Sequence, residues 1–224
     1  MNVFAGQPHN EPPREIDIAA TSATDRYKLL IGLIVPRPIA WVSTISPDGA
    51  PNLAPFSFFN AIGANPMLLM FCPASKPDGT EKDSLRNAKP MAEGGTGEFV
   101  VNIVPHALKD AMSLTSSELP FGESEWELAP HLLHTEPSLR VRPARIAAAP
   151  ACFECRTLSV TRTNPGAPGA GNMVIGEVLH VRTLPGILGD RFHTDAAALD
   201  AIGRMGGAAY ATTRDRFDIA RPEQ

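Results

Sequence analysis

Residues capable of chemistry are concentrated in two short stretches. Pro51-Asn52-Leu53-Ala54-Pro55-Phe56-Ser57-Phe58-Phe59-Asn60-Ala61-Ile62 places three of the chain's ten phenylalanines within four positions, interleaved with small and amide side chains. Flat apolar faces beside hydrogen-bonding groups are what a planar heteroaromatic ligand needs; a strand whose phenylalanines pack into a barrel core is the alternative. Further along, Lys82-Asp83-Ser84-Leu85-Arg86-Asn87 reads as a helix start carrying an ammonium, a hydroxyl and free backbone N–H groups. Unpaired N–H groups and the helix dipole both present positive potential, so this stretch suits a single phosphate. The alternative is a capped surface helix, and Asp83 opposes an anion unless its carboxylate turns back to cap. Together the stretches describe a site with a flat end and a phosphate end.

Self-contained catalytic constellations are missing from the sequence. It has no G-x-S-x-G elbow, no Walker sequence, no H-E-x-x-H and no G-x-G-x-x-G after a strand. His9 lies near the amino terminus, and His106, His131, His134, His180 and His193 are scattered without ligand spacing. Cys152-Phe153-Glu154-Cys155 matches C-x-x-C, but in a run reading as a strand positions i and i+3 point to opposite faces, and no further ligands complete a zinc site. No metal is expected. A chain without an obvious acid, base or nucleophile of its own points to a reactive group borrowed from a cofactor.

The 224 residues carry a net charge of −4, which gives no extended positive field for nucleic acid or an anionic membrane surface. Residues 1–14 lack a basic n-region and an apolar h-region, and no apolar run is long enough to span a bilayer, so a cytoplasmic address is expected. Three cysteines without framework spacing fit reduced thiols in that compartment. One domain over 21–215 is expected, with an amino-terminal arm (1–20), either loose or laid over a partner subunit, and a short tail (216–224).

The elements that must position the two stretches are short, because the chain holds 22 prolines, well above the usual figure of about 5%. Ile39 to Ile45 suits a strand, Ser46-Pro47-Asp48-Gly49 a turn, and Pro51 to Ile62 the return limb of a hairpin. Met67 to Cys72 reads as a buried strand, and Asp83 to Ala88 as a short helix capped by Asp83 or Ser84. Strands are expected at Glu98 to Val104, Ala151 to Thr163 and Met173 to Thr183, with 164–171 a flexible hairpin tip. Helices suit Ala107 to Thr115 and, capped by Thr194, Asp195 to Gly203. Consecutive strands joined by hairpins and few helices imply a mainly antiparallel sheet, closed or split into a barrel.

In order along residues 25–215, the chain resembles the flavin reductase-like family of FMN-binding split barrels, most closely its flavoredoxin-type branch. The resemblance rests on Pro36-Arg37-Pro38-Ile39-Ala40-Trp41-Val42-Ser43-Thr44, Asp48-Gly49-x-Pro51 to Asn60, Lys82 to Asn87, and Gly97-Glu98-Phe99-Val100-Val101-Asn102. It extends through Pro143-Ala144-Arg145-Ile146, Val174-Ile175-Gly176-Glu177-Val178 and Ile202-Gly203-Arg204-Met205-Gly206-Gly207-x-x-Tyr210. It implies an antiparallel split β-barrel, a homodimer, and non-covalent FMN near the subunit interface, reduced by NADH or NADPH through hydride transfer from the nicotinamide to flavin N5. By position, Trp41, Val42, Ser43 and Thr44 would lie along the flavin edge. Ser57, Phe58, Phe59 and Asn60 would meet the ring and ribityl chain, Lys82 and Ser84 would take the phosphate, and Arg204 to Tyr210 would close the site. Where relatives carry Gly-Asp-His before a strand, this chain has Gly169-Ala170-Gly171-Asn172, which bears on nicotinamide placement. The electron acceptor implied is a monooxygenase partner or another protein. Two other readings remain: an FMN-carrying electron-transfer or sensing protein on the same barrel, and an interaction module whose phenylalanines are all core.

Overall fold

A computed structural model describes residues 12–220 and 222; His9 and most of the expected arm lie outside them. Its strands in chain order are β1 (Arg37–Pro38), β2 (Ala40–Ile45), β3 (Pro51–Phe56), β4 (Phe59–Ala64), β5 (Met67–Phe71) and β6 (Glu98–Ile103), then β7 (Thr135–Glu136), β8 (Arg145–Ile146), β9 (Ala151–Arg162), β10 (Asn172–Thr183), β11 (Ile202–Arg204) and β12 (Tyr210–Thr212). The α-helices are α1 (Ala23–Leu33), α2 (Asp83–Ala88), α3 (Lys109–Leu114) and α4 (Ala196–Leu199).

Seven strands form one antiparallel sheet in the order β3-β2-β6-β9-β10-β5-β4, and β1, β11 and β12 form a second. β2 and β3 make the expected hairpin, in register from Ala40↔Phe56 to Ile45↔Pro51, with Gly49 at φ 92° in the turn, where a side chain would be strained. The large sheet curls on itself. Phe56 on its first strand meets Phe71 on its sixth, with ring centroids 5.3 Å apart, and Phe71 meets Phe99 at 5.0 Å.

Alternation along the strands divides the core into two faces. Ala40, Val42, Phe56, Phe71, Phe99, Val101, Cys155 and Val174 fill the inside of the curl. Trp41, Leu53, Val100 and Cys152 point outward, under α3 and the segment 126–149. The two cysteines of the C-x-x-C run therefore do face opposite ways, and burial raises both thiols, Cys152 to about 11. Gly176 allows the tightest contact in the inner core, since a Cβ there would lie 2.4 Å from Phe99 Cζ.

Several expectations need correction. The return limb of the hairpin stops at Phe56; after Ser57 and Phe58 the chain begins a new strand, β4, which pairs with β5 at the far edge of the sheet. β5 is buried only at Leu69 and Phe71, because one of its faces lies outside the curl. α2 is not capped by Asp83 or Ser84: Lys82 occupies the cap position without a side-chain bond, Asp83 pairs with Lys76, and Ser84 accepts from Asn52. Asp195, not Thr194, caps α4 by accepting from the Ala197 and Ala198 N–H groups. Asp200 at φ 41° ends that helix, and 202–204 become β11. Finally, the sequence reading missed α1. Its cap is reciprocal: Ser22 Oγ accepts from the Asp25 N–H at 3.1 Å and donates to the Asp25 carboxylate at 2.7 Å.

Candidate functional site

A groove runs along β3 and its continuation at Ser57, closed on the other side by α3 and the loop that follows it. It consists of two cavities, about 150 and about 470 Å³, whose walls share Pro55 and Ser116. The second alone lies within the roughly 300–1,000 Å³ typical of small-molecule sites. A third cavity, about 530 Å³, lies across the ends of β6, β9 and β10, and its lining carries no ionisable side chain.

The smaller cavity is built around the start of α2. Asn52, Lys76, Lys82 and Ser84 line it. Asn52 is nearly fully buried, and its amide donates to Ser84 Oγ at 3.0 Å and to Thr44 Oγ1 at 3.1 Å; the Asn87 amide donates to the same threonine at 3.1 Å. This network ties β2, β3 and α2 together and fixes the Ser84 hydroxyl. Charges here are mixed. Lys76 lies 3.4 Å from Asp83, and Lys82 lies 3.6 Å from the exposed Glu118. Glu125 also lines the cavity, and burial pushes its carboxyl above the usual carboxylate range although it accepts the Leu53 N–H at 3.0 Å. Asp83 is thus engaged by Lys76, whereas the partner of Lys82 is one that solvent screens.

The larger cavity has a different character. Tyr27 and Ile31 of α1, Arg37, Ser57, Arg204 and Tyr210 line it, and no acidic side chain does. Arg37 is 5% exposed, and neutral oxygens accept from its guanidinium: the Ile31 carbonyl at 2.6 Å, Ile34 at 2.9 Å, Met205 at 3.1 Å and Ser57 Oγ at 3.3 Å. It pins the end of α1 and the segment after β11 to the corner between β3 and β4. Burial, and to a lesser degree the facing Arg204, lower its pKa against an opposing pull from Tyr27. Arg204 is the cross-strand partner of Arg37; its guanidinium lies 4.4 Å over the Tyr210 ring and donates to that residue's hydroxyl oxygen and to the Gly207 carbonyl, the latter at 2.6 Å. Among the described residues, neither arginine meets a carboxylate within ion-pair distance.

The family model for the flavin reductase like domain matches residues 32–196. The chain belongs to this family. Its fold is the split barrel: a Shewanella frigidimarina protein with a split barrel domain aligns at a TM-score of 0.76 with 19% identity, covering 91% of this chain and 96% of that one. Component B of nitrilotriacetate monooxygenase from Bacillus cereus aligns at 0.85 with 31% identity, covering 93% and 100% of the two chains. The 2-nitrobenzoate 2-nitroreductase NbaA of Pseudomonas fluorescens aligns at 0.81 with 27% identity, covering 93% and 96%. This flavin reductase-like protein is therefore a flavin-related oxidoreductase.

Within it, the groove brings together five of the expected residues: Lys82 and Ser84 at one end, Ser57, Arg204 and Tyr210 at the other. Trp41, Val42, Ser43 and Thr44 stand one layer behind, each at most 1% exposed. Their work is support. Trp41 Nε1 donates to Thr115 Oγ1 at 2.8 Å beneath the α3 wall, Ser43 is bonded to the Ala144 carbonyl, and Thr44 holds Asn52. Phe58, Phe59 and Asn60 do not line the groove either. Phe59 packs on the inner core, Phe58 lies 6.5 Å from Tyr27, and Asn60 is exposed on the edge strand β4, with its side chain accepting the Ala61 N–H. The barrel-core reading thus holds for Phe56 and Phe59. Phe56 also lines the smaller cavity, the aromatic surfaces in the larger one are Tyr27 and Tyr210, and Tyr27, Arg37, Asn52 and the 112–119 wall were missed as site residues. The sequence signal for Arg37 was its place in the Pro36-Arg37-Pro38 run of the motif that carries the resemblance. Among the described residues, no group of three or more His, Cys, Asp and Glu could hold a metal ion, and no helix is long and apolar enough to cross a membrane.

Proposed function

We propose that this protein binds FMN without a covalent link in the groove along β3 and oxidises NADH or NADPH. The observation that carries this reading is the polarity of one continuous groove: a lysine and a fixed hydroxyl at the narrow end, aromatic and guanidinium groups at the wide one. Lys82 and Ser84 would hold the phosphate, with Asn52 orienting the Ser84 oxygen from behind. Ser57 and the arginines would face the polar edge of the ring, and Tyr27, Ile31 and Tyr210 would cover its faces and exclude water. Bound FMN supplies the redox chemistry, taking a hydride from the nicotinamide at N5. The side chains then have only to hold two planar groups about 3–3.5 Å apart.

We place a second copy of the chain against α1. Leu30, Leu33 and Ile34 are exposed beside the wide end of the groove, and a soluble surface rarely leaves such a cluster uncovered. Flavin release on dilution to monomer is the expected result; full retention by a stable monomer overturns the shared site.

A second reading is an FMN carrier that does not consume nicotinamide. Asn172, in the 169–172 segment that stands in place of the Gly-Asp-His element of related reductases, is buried and spends its amide on the Pro73 and Ala170 carbonyls and Ser75 Oγ. Anaerobic mixing of the FMN-loaded protein with each nicotinamide separates the two. Bleaching of the flavin band supports the reductase, and an unchanged band with FMN retained supports the carrier. The similarity to a monooxygenase component and to a nitroreductase favours a redox partner or an organic acceptor downstream.

A further inference from the structure

We propose that the Arg37–Arg204 pair makes the wide end of the groove bind the reduced, anionic form of its flavin more tightly than the oxidised form. The inference rests on the FMN reading above and deepens it.

The argument starts from charge. The two arginines are cross-strand partners on β1 and β11, and both line a cavity without a single acidic lining residue. All of their hydrogen-bond partners are neutral: four carbonyls, one serine hydroxyl and one tyrosine hydroxyl. Two like charges held together with no counter-ion raise the free energy of the empty site, and an anion entering between them lowers it. The narrow end provides a contrast, because each of its lysines already has a carboxylate within 3.6 Å. The unmatched positive charge is therefore at the ring end, away from the phosphate.

A hydride brings two electrons and one proton. Its delivery to the ring adds one negative charge, which resides on the N1–C2 carbonyl edge unless a second proton is drawn from water, while the nicotinamide leaves oxidised. An arginine fork beside that edge binds the charged product more tightly than the neutral starting ring. By linkage, the ratio of the two affinities is the shift of the bound flavin's midpoint potential from that of free FMN. Arg37 is committed to the carbonyls of two backbone segments and to the Ser57 hydroxyl, so its contribution is fixed by the fold. Arg204 is partly exposed and rests on Tyr210, and can be changed without opening the core.

The test is a pair of anaerobic titrations of the apoprotein, with oxidised FMN and with dithionite-reduced FMN, for the wild type, Arg204→Gln and Arg204→Lys, beside a spectroelectrochemical midpoint for each. The wild type is expected to bind the reduced form at least tenfold more tightly. For a two-electron couple this places its midpoint about 30 mV above that of free FMN. Arg204→Gln should weaken the reduced form more than the oxidised form and so lose most of that preference, and Arg204→Lys should keep part of it. Equal affinity for both forms in the wild type, or a preference untouched by Arg204→Gln, overturns the inference and leaves the FMN reading standing. Failure of both forms to bind overturns the FMN reading itself.

Discussion

Replacing Lys82 with alanine tests the phosphate end by comparing two ligands that differ only there. An ammonium about 4 Å from a phosphate oxygen interacts with roughly 4 kcal/mol per unit charge at an effective dielectric near 20. The Lys82 side chain is 35% exposed and shared with Glu118 at 3.6 Å, so the net contribution belongs near the bottom of the range of about 1.5–3 kcal/mol for hydrogen bonds to charged groups. At 1.4 kcal/mol per tenfold, FMN should bind about tenfold more weakly to Lys82→Ala, and riboflavin, which lacks the phosphate, as it does to the wild type. Glu118→Gln should act in the opposite sense, strengthening FMN about twofold by freeing the ammonium, a gain of a few tenths of a kcal/mol. Quenching of flavin fluorescence at low and moderate salt measures all five constants, and the salt dependence for FMN should be shallower in Lys82→Ala. Equal losses for FMN and riboflavin, or unchanged FMN affinity, would refute the assignment.

Other expectations concern the scaffold. Asn52→Ala removes the amide that serves both Thr44 and Ser84 in a buried setting, at about 1–3 kcal/mol, so the melting temperature should fall by several degrees and FMN should weaken with it. A variant with unchanged melting and binding would show that the network is dispensable. Gly176→Ala forces a methyl to within 2.4 Å of Phe99 Cζ and should cost about 1–3 kcal/mol in denaturant unfolding; a neutral result would mean that the inner core repacks freely. Burial raises the Cys152 thiol to about 11 and raises Cys155 as well, while Cys72, also raised by burial, is partly exposed. Below pH 9, mass spectrometry after alkylation should find slow labelling at Cys72 alone, and modification of Cys155 in folded protein would contradict the packing.

The strands of the barrel were readable because β-branched and aromatic runs end in turn chemistry: Ser46 to Gly49 closes β2 on β3, and 164–171 joins β9 to β10. The split between β3 and β4 was not, because Ser57 and Phe58 carry no turn signature and the chain bends there to follow the curl of the sheet. α1 was overlooked although Tyr27, Leu30, Ile31 and Ile34 recur at helical spacing; none of the helix's residues is buried in the protomer. Lys82 and Ser84 were singled out from local helix chemistry, and Arg204 and Tyr210 from the family resemblance; all four line the groove. The side chains of Trp41 to Thr44 are buried behind the groove, and motif position does not tell a wall from its support. The 112–119 wall and the pairing of Arg37 with Arg204 arise from long-range contacts, β1 on β11, for which a single sequence holds no signal.

The central claim is that one flavin spans both cavities. A crystal structure of the protein grown with FMN tests it most directly: the account predicts the phosphate at Lys82 and Ser84 and the ring beside Ser57, Arg37, Arg204 and Tyr210. A ring held elsewhere, for instance in the apolar cavity by Phe153 and Phe192, or a phosphate that avoids Lys82, would contradict it.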